Sequence, residues 1–412
     1  MNSRRAAQWS WALSAWANHA FVTTIAVGFF PVFFDKYWAA ALPGTQQTFY
    51  LGLANSSATF VVMLIAPWLG ALADRRAHKK RWLAIWTVLG SAGCAVLAMI
   101  GEGNWTWALI VYGLCSISFW AGSSFQDALI VQVANAEETN RVSSLGFAMG
   151  YIGGGLLFLI NVLMVLHPDW FHLKDATEAT RIAFLDVALW WLIFTLPLFR
   201  RVPEGAPTAQ SSGLSELWQT IRKVMSDRAV RNFLLAYWLY IDAINTVQLM
   251  AVDFGSKLGF PTDSLITALL IVQFIAFPFA LLFGYLGDRF GTKRSIYLGL
   301  GVFAGVTFYA YFMHTVLQFY VLAGVFGTVQ GGVQALSRAY FARLIPRERA
   351  GEYFGFYNML AKFAAVLGPL AMGLVAILTG NQRLSILVLE VFFVGGGLLL
   401  ARTRLPDSPR AA

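Results

Sequence analysis

Runs of roughly 20 predominantly apolar residues recur along the chain at about 11–34, 48–72, 81–101, 105–127, 142–166 and 182–200. They recur again at 231–254, 264–287, 295–313, 316–337, 352–378 and 384–402. A backbone surrounded by hydrocarbon must pair its own N–H and C=O groups, so runs of this length predict helices that cross a bilayer. The expected fold is therefore all-α and integral to a membrane, with twelve transmembrane helices. The composition agrees: 58% of residues are hydrophobic and 12% charged, with 34 Phe and 15 Trp in 412 positions, more than a soluble core could bury. The first run, Trp9 to Phe34, is too long for a signal-peptide core and lacks a convincing cleavage site, which predicts a retained first helix.

The basic residues set an expected orientation. The segments on the side of the N-terminus carry 24 Lys and Arg against 5 on the other side, which predicts cytoplasmic termini. Short tails and brief external loops suit a bacterial inner membrane, with a vacuole-like membrane as the alternative. The net charge of +9 lies between apolar segments rather than on one soluble face, so no nucleic-acid partner is expected. Cys94 and Cys115 fall inside apolar runs and predict buried thiols. Neither a metal site nor any other cofactor is expected, and a Gly-x-x-x-x-Gly-Lys-Ser/Thr phosphate loop is absent from the sequence. Residues 201–230 are the one long connection and divide the chain into bundles at 1–200 and 231–412. The connection opens as a flexible linker at Val202-Pro203-Glu204-Gly205-Ala206-Pro207. Leu214, Leu217, Trp218, Ile221, Val224 and Met225 then follow helical spacing, as in an amphipathic helix on the membrane surface or a linker helix packed on the bundles.

The two halves repeat one another. Gly70-Ala71-Leu72-Ala73-Asp74-Arg75-Arg76-Ala77-His78-Lys79-Lys80 recurs 214 positions later as Gly284-Tyr285-Leu286-Gly287-Asp288-Arg289-Phe290-Gly291-Thr292-Lys293-Arg294. Leu145-Gly146-Phe147 recurs 209 positions later as Phe354-Gly355-Phe356. Six helices separate the copies, so both halves have the same orientation and form a parallel repeat of two six-helix bundles.

This arrangement resembles the major facilitator superfamily, whose G-x-L-a-D-R-x-G-r-K/R loop is matched closely at 284–294 and with Ala77 in place of glycine at 70–80. The resemblance implies that Asp74 and Asp288 bind the cytoplasmic starts of helices 11 and 5, latching the outward-facing state, with Gly70, Arg75, Gly284, Arg289 and Arg141 in the same gating loops. The basic residues of these loops read as topogenic charge. A closer likeness is to the branch related to the fungal vacuolar amino-acid effluxer of autophagy. It rests on Gly331-Gly332-Val333-Gln334-Ala335-Leu336-Ser337-Arg338, Phe354-Gly355-Phe356-Tyr357-Asn358, Ala136-Glu137-Glu138-Thr139-Asn140-Arg141 and Trp16-Ala17-Asn18. The chain departs from that branch at Ala15, where an acidic residue is usual, and after Asp127-Ala128.

Ionisable residues inside a bilayer are functional candidates. Asp242 and Lys362 each fall roughly 15–17 Å along their helices, near the midplane. Helices 7 and 11 are neighbours in the resembled fold, which implies a pair there, either broken in the cycle or a static ion pair that fixes packing. Asn245 and Thr246 follow Asp242 at helical spacing, and Gln330, Gln334 and Arg338 share one face of helix 10. In the resembled fold helices 1, 4, 7 and 10 surround the cavity, which adds Asn18, His19, Gln126 and Asp127. Such groups either bind a solute or satisfy one another across helices. Glu390, in helix 12, is expected to make an interhelical hydrogen bond. The sequence therefore predicts a monomeric secondary transporter in contact with membrane lipid. The resemblance implies a small-molecule substrate, an amino acid or similar polar metabolite, moved outward or exchanged, with coupling to a proton or another ion. An exporter of lipids or drugs and a non-transporting ligand sensor are the alternatives. No nucleophile–base pair or metal cluster points to an enzyme.

Overall fold

In a computed structural model, residues 3–207, 222 and 224–403 are described. The amphipathic helix expected in the connection lies, apart from residues 222, 224 and 225, outside the described residues. The chain forms α1 (Ser3–Trp38), α2 (Gly44–Arg76), α3 (Lys79–Met99), α4 (Trp105–Val133), α5 (Thr139–Leu166) and α6 (Ala176–Arg201). After the connection come α7 (Arg228–Lys257), α8 (Thr262–Phe290), α9 (Thr292–Ala310), α10 (Val316–Leu344), α11 (Ala350–Thr379) and α12 (Arg383–Ala401). Among the described residues ten of these are long and apolar enough to cross a membrane. The other two carry charge, Arg228, Arg231 and Asp242 on α7 and Lys293 and Arg294 on α9, and both pack on other helices of the second half. Side chains such as Leu64, Leu189, Leu370, Ile377 and Leu398 are exposed around the outside, as a lipid-facing surface requires.

In the first half α1 packs on α5 and α6, and α3 on α4 and α6; in the second, α7 packs on α11 and α12, and α10 on α8 and α9. The halves meet along two seams, α2 against α11 and α5 against α8. Glycine permits these approaches. A Cβ on Gly70 would lie 2.2 Å from the Gly351 carbonyl oxygen, so the backbones of α2 and α11 touch. The glycines of α5 receive α1 in the same way, with Trp16 against Gly153 and His19 against Gly150, as expected of small residues that let helices pack closely.

Helix α1 departs from regular α geometry. Pro31 lacks the N–H that would pair with the Val27 carbonyl, and its ring crowds that carbonyl. The turns around it widen to π geometry at Phe21–Phe29 and Phe34–Trp38, with the Phe30 N–H donating to the Ile25 carbonyl.

The repeated loops lie on the face that also carries Ser3 and Thr403, and their basic residues do more than supply charge. Lys80 Nζ donates to the carbonyls of Phe199 and Val202, 3.0 and 2.9 Å, at the end of α6. Lys293 Nζ does the same for Ala401 and Thr403 at the end of α12, 2.9 and 2.8 Å. Both ammonium groups thereby cap unpaired carbonyls at the negative end of a helix. The reading of these residues as topogenic charge alone is corrected accordingly.

The degenerate position of the first loop has a physical counterpart. Ala77 holds the left-handed conformation, φ 50°, at the place where the second copy has Gly291 at φ 96°. An L-residue there is disfavoured by roughly 1–2 kcal/mol relative to its usual conformations. Ala77→Gly is therefore expected to raise the melting temperature of the purified protein, by an amount corresponding to about 1 kcal/mol. Ala73→Gly, four residues earlier inside α2, is expected to lower it by a similar amount. Differential scanning fluorimetry in detergent measures both.

Candidate functional site

The polar side chains inside the membrane converge on the seam between the halves. Arg338, on α10, extends across it. Its Nη1 donates to Asp127 Oδ1 on α4 at 2.7 Å, its Nε to Ser143 Oγ at 2.9 Å and its Nη2 to the Ser143 carbonyl on α5 at 2.8 Å. The guanidinium plane lies over Phe147 and Trp11, 4.4 and 4.9 Å from the ring centroids. Gly146 leaves room for this passage: a Cβ there would sit 2.7 Å from Trp11 and 3.0 Å from Arg338 Nη2. The second oxygen of Asp127 accepts from Asn358 Nδ2 of α11 at 3.2 Å, and Ser143 Oγ donates to the Ala335 carbonyl at 2.6 Å. A cation and an anion removed from water are stable together only with such a full set of partners.

This cluster forms the floor of a cavity of about 330 Å³. His19, Gln126, Asp127, Asn245, Gln330, Gln334, Arg338 and Lys362 line it, so the structure brings these predicted residues together. The wall is mostly apolar and aromatic, with Phe119, Trp120, Tyr237 and Tyr357, and continues away from the floor past Val27, Phe158, Leu265 and Met313. His19 meets the ring edges of Phe147 and Tyr151, and Gln330 is buried with its Oε1 lacking a hydrogen-bond partner. Asn18 stands behind the lining, donating from Nδ2 to Gln126 Oε1 at 2.7 Å, so it positions Gln126.

Two expectations are corrected. Asp242 and Lys362 are not paired. Asp242, 1% exposed, turns into the contact between α7 and α11, where Oδ1 accepts from the Gly368 N–H at 3.1 Å and Thr246 Oγ1 at 3.4 Å. Its Oδ2 has no hydrogen-bond partner. Gly368 makes this possible, because a Cβ there would fall 2.0 Å from Thr246 Oγ1. Lys362 instead lies with its ammonium over the Trp120 ring, across the seam on α4. Asn245 also parts from Asp242 and faces the cavity. Sequence reasoning missed Ser143 and Asn358 as partners of the Arg338–Asp127 pair. The spacing of Asn358 and Lys362, one helical turn apart on α11, was the available signal.

Closer to the terminal face, the loop aspartates also bridge the halves. Asp74 is 3% exposed and accepts from the Gly351 N–H at 3.1 Å and the Glu352 N–H at 2.8 Å, in the first turn of α11. A carboxylate there satisfies free N–H groups at the positive end of the helix dipole. The buried Lys79 pairs with the same carboxylate. Asp288 meets α5 through side chains, accepting from Asn140 Nδ2 at 3.0 Å and pairing with Arg141 Nε at 3.6 Å. Gly284 packs on Ser144, and a Cβ there would be 2.8 Å from the Ser144 Cβ. Arg289 stays on its own helix, donating to Tyr285 Oη at 3.1 Å. Arg347 Nη2 adds a bond to the Ala134 carbonyl at 2.7 Å. Glu390 accepts from Thr307 Oγ1 between α12 and α9, as expected.

Two groups of six helices, carrying the same loop at equivalent places and enclosing a cavity with a polar floor on their shared seam, define a transporter of the major facilitator superfamily. The chain belongs to the family described as Vacuole effluxer Atg22 like, whose model matches residues 45–138 and 130–412. It is 36% identical over 399 residues to the MFS-type transporter YxiO of Bacillus subtilis (strain 168), covering 95% of this chain and 93% of that one. Autophagy-related protein 22 of Yarrowia lipolytica (strain CLIB 122 / E 150) is 26% identical over 317 residues, covering 68% of this chain and 53% of that one. Among solved structures, the human organic anion transporter MFSD10 (TETRAN) superposes with a TM-score of 0.80 at 14% identity, covering 97% of this chain and all of that one (100%). The transporter FucP in the outward conformation gives 0.75 at 13% identity, covering 98% and 99%. At these identities the likeness is one of fold.

The Arg338–Asp127 pair has a measurable consequence. Asp127→Asn leaves a buried guanidinium without its counter-ion and is expected to destabilise the protein by roughly 3–5 kcal/mol. Arg338→Gln is expected to do likewise. In the double variant the losses overlap, so a double-mutant cycle read by thermal melting is expected to show a clear coupling energy; simple additivity would mean that the two groups do not depend on one another.

Proposed function

We propose that this protein is an alternating-access secondary transporter whose cycle opens and closes the Arg338–Asp127 seam. The observation that carries this reading is one guanidinium from the second half held by three helices of the first, directly beneath the cavity. A solute cannot pass toward the terminal face until Arg338 leaves Asp127 and Ser143. The bundles at 1–200 and 231–412 are the moving parts. The loops with Gly70, Asp74 and Arg75 and with Gly284, Asp288 and Arg289, together with Arg141, are the latches of this closed face.

Both termini lie in the cytoplasm of a bacterial inner membrane in this reading, supported by the 24 to 5 distribution of basic residues and by the Bacillus relative. The closed face is then the inner one, and the cavity faces outward. The protein works as a monomer in contact with lipid. The substrate is a small metabolite bearing a carboxylate; amino acids enter this class through the resemblance to the fungal vacuolar effluxers, and the matching family is described as a vacuole effluxer. The apolar wall favours a second reading, an amphiphile with a polar end. Asp242 is the group we assign to proton coupling, with Asp127 as its partner in the cycle, because it is an ionisable side chain at membrane depth with one carboxylate oxygen lacking a hydrogen-bond partner.

Two experiments test this. Ala136→Cys and Glu348→Cys place thiols at exposed positions that flank the Arg347–Ala134 contact, while the native Cys94 and Cys115 are buried. Joining the new pair with a reducible bis-maleimide is expected to stop solute flux in proteoliposomes, and reduction to restore it; undiminished flux through the cross-linked protein would sink the alternating-access reading. Asp242→Asn is expected to abolish accumulation driven by an imposed proton gradient while leaving exchange of solute at equal concentrations. Accumulation at the wild-type level would remove proton coupling at this residue.

A further inference from the structure

The charges on the cavity surface do not balance. Among the described lining residues three are formally charged, Asp127, Arg338 and Lys362. Asp127 and Arg338 neutralise one another, and Asn358 takes the remaining oxygen of Asp127. Asp242 is turned into the α7–α11 contact and does not line the cavity. Lys362 is left with no described carboxylate within ion-pair distance, its ammonium resting on the Trp120 ring. Protonation of His19 would only add to the positive count. An ammonium inside a membrane without a counter-ion is costly, and a cation–π contact offsets part of that cost.

We propose that Lys362 is the anchor for a carboxylate, and that the solute of this cavity is an organic anion with an apolar or aromatic body rather than a zwitterion. This rests on the cavity being the solute site proposed above, and it narrows the carboxylate-bearing class named there, setting the zwitterionic amino acids outside it. A carboxylate entering the cavity meets one unpaired cation, and charge-assisted hydrogen bonds to it are the strongest polar contact on offer. Among the described residues the α-ammonium of an amino acid meets no available partner of opposite charge, because the one described lining carboxylate is already held by Arg338 and Asn358. The body of the solute lies against the stacked pair Tyr237 and Tyr357, 4.2 Å between ring centroids, while the Trp120 ring is taken up by Lys362. Gln330, Gln334 and Asn245 supply neutral donors and acceptors for further oxygen atoms. A volume of about 330 Å³ suits a small molecule of this kind.

The same contact ties recognition to the seam. Lys362 on α11 touches Trp120 on α4, one helical turn from the Asn358–Asp127 bond between the same two helices. A carboxylate competes with the ring for the ammonium, so binding the anion loosens a contact between the halves.

The test compares three compounds on one scaffold: 3-phenylpropionate, an anion; phenylalanine, the zwitterion; and phenethylamine, the cation. Binding to the purified full-length protein in detergent is read by the shift in melting temperature across a concentration series. The anion is expected to bind at least about 10-fold more tightly than either of the others. Lys362→Met is expected to weaken the anion roughly 10- to 100-fold, and Lys362→Arg to retain it. Trp120→Leu removes the competing ring and is expected to tighten the anion, which keeps the proposal decidable should Lys362→Met fail to fold. Phenylalanine binding as tightly as the anion, no stabilisation by the anion, or undiminished anion binding to Lys362→Met would each overturn the proposal. None of those outcomes touches the transporter reading, which the cross-linking experiment decides independently.

Discussion

A guanidinium removed from water has to be given its partners by the protein, and in this molecule the partners belong to the other half of the chain. Arg338 leaves α10, passes Gly146 and ends among Asp127, Ser143, Trp11 and Phe147. The closed face depends on that reach. Breaking the pair exposes two charges to a medium that cannot solvate them unless water enters. In the proposed cycle the halves separate here only as water or solute arrives, which is the condition a transporter needs to avoid an open channel.

The architecture was largely legible in the sequence. Runs of apolar residues about the thickness of a bilayer long admit one kind of backbone, and the repeat from Gly70 to Lys80 at 284–294 fixed the parallel relation of the halves. Asp74 landed on the first turn of α11 because a carboxylate facing a helix start has few better places to go. The widened turns of α1 were less legible: Pro31 marks a disturbance, while its form is set by packing against α5.

Within the site, residue type and helical position identified the lining but not the pairing. Asp242 and Lys362 lie at similar depth and carry opposite charge, yet side-chain direction separates them. Gly368 lets α11 approach α7 closely enough for its backbone to take the carboxylate, and Lys362, six residues earlier, is rotated toward α4. Depth is a one-dimensional quantity read from the sequence; the azimuth of each helix is fixed only when all twelve are packed. The same limit hid Ser143 and Asn358, ordinary polar residues whose importance comes from a guanidinium on another helix.

The two loop aspartates of the repeat sit in chemically unequal settings. Asp74 and Lys79 are 3% and 2% exposed, whereas Arg141, the partner of Asp288, has a side chain 76% exposed. Dissolved ions screen exposed charges within about 8 Å at physiological ionic strength and reach buried ones far less. Salt therefore acts on the α5–α8 seam and largely spares the α2–α11 seam, although both descend from the same stretch of sequence. Ionic strength becomes a dial on one side of the molecule alone, and the near-symmetry of the fold does not extend to how its two edges sense the surrounding solution.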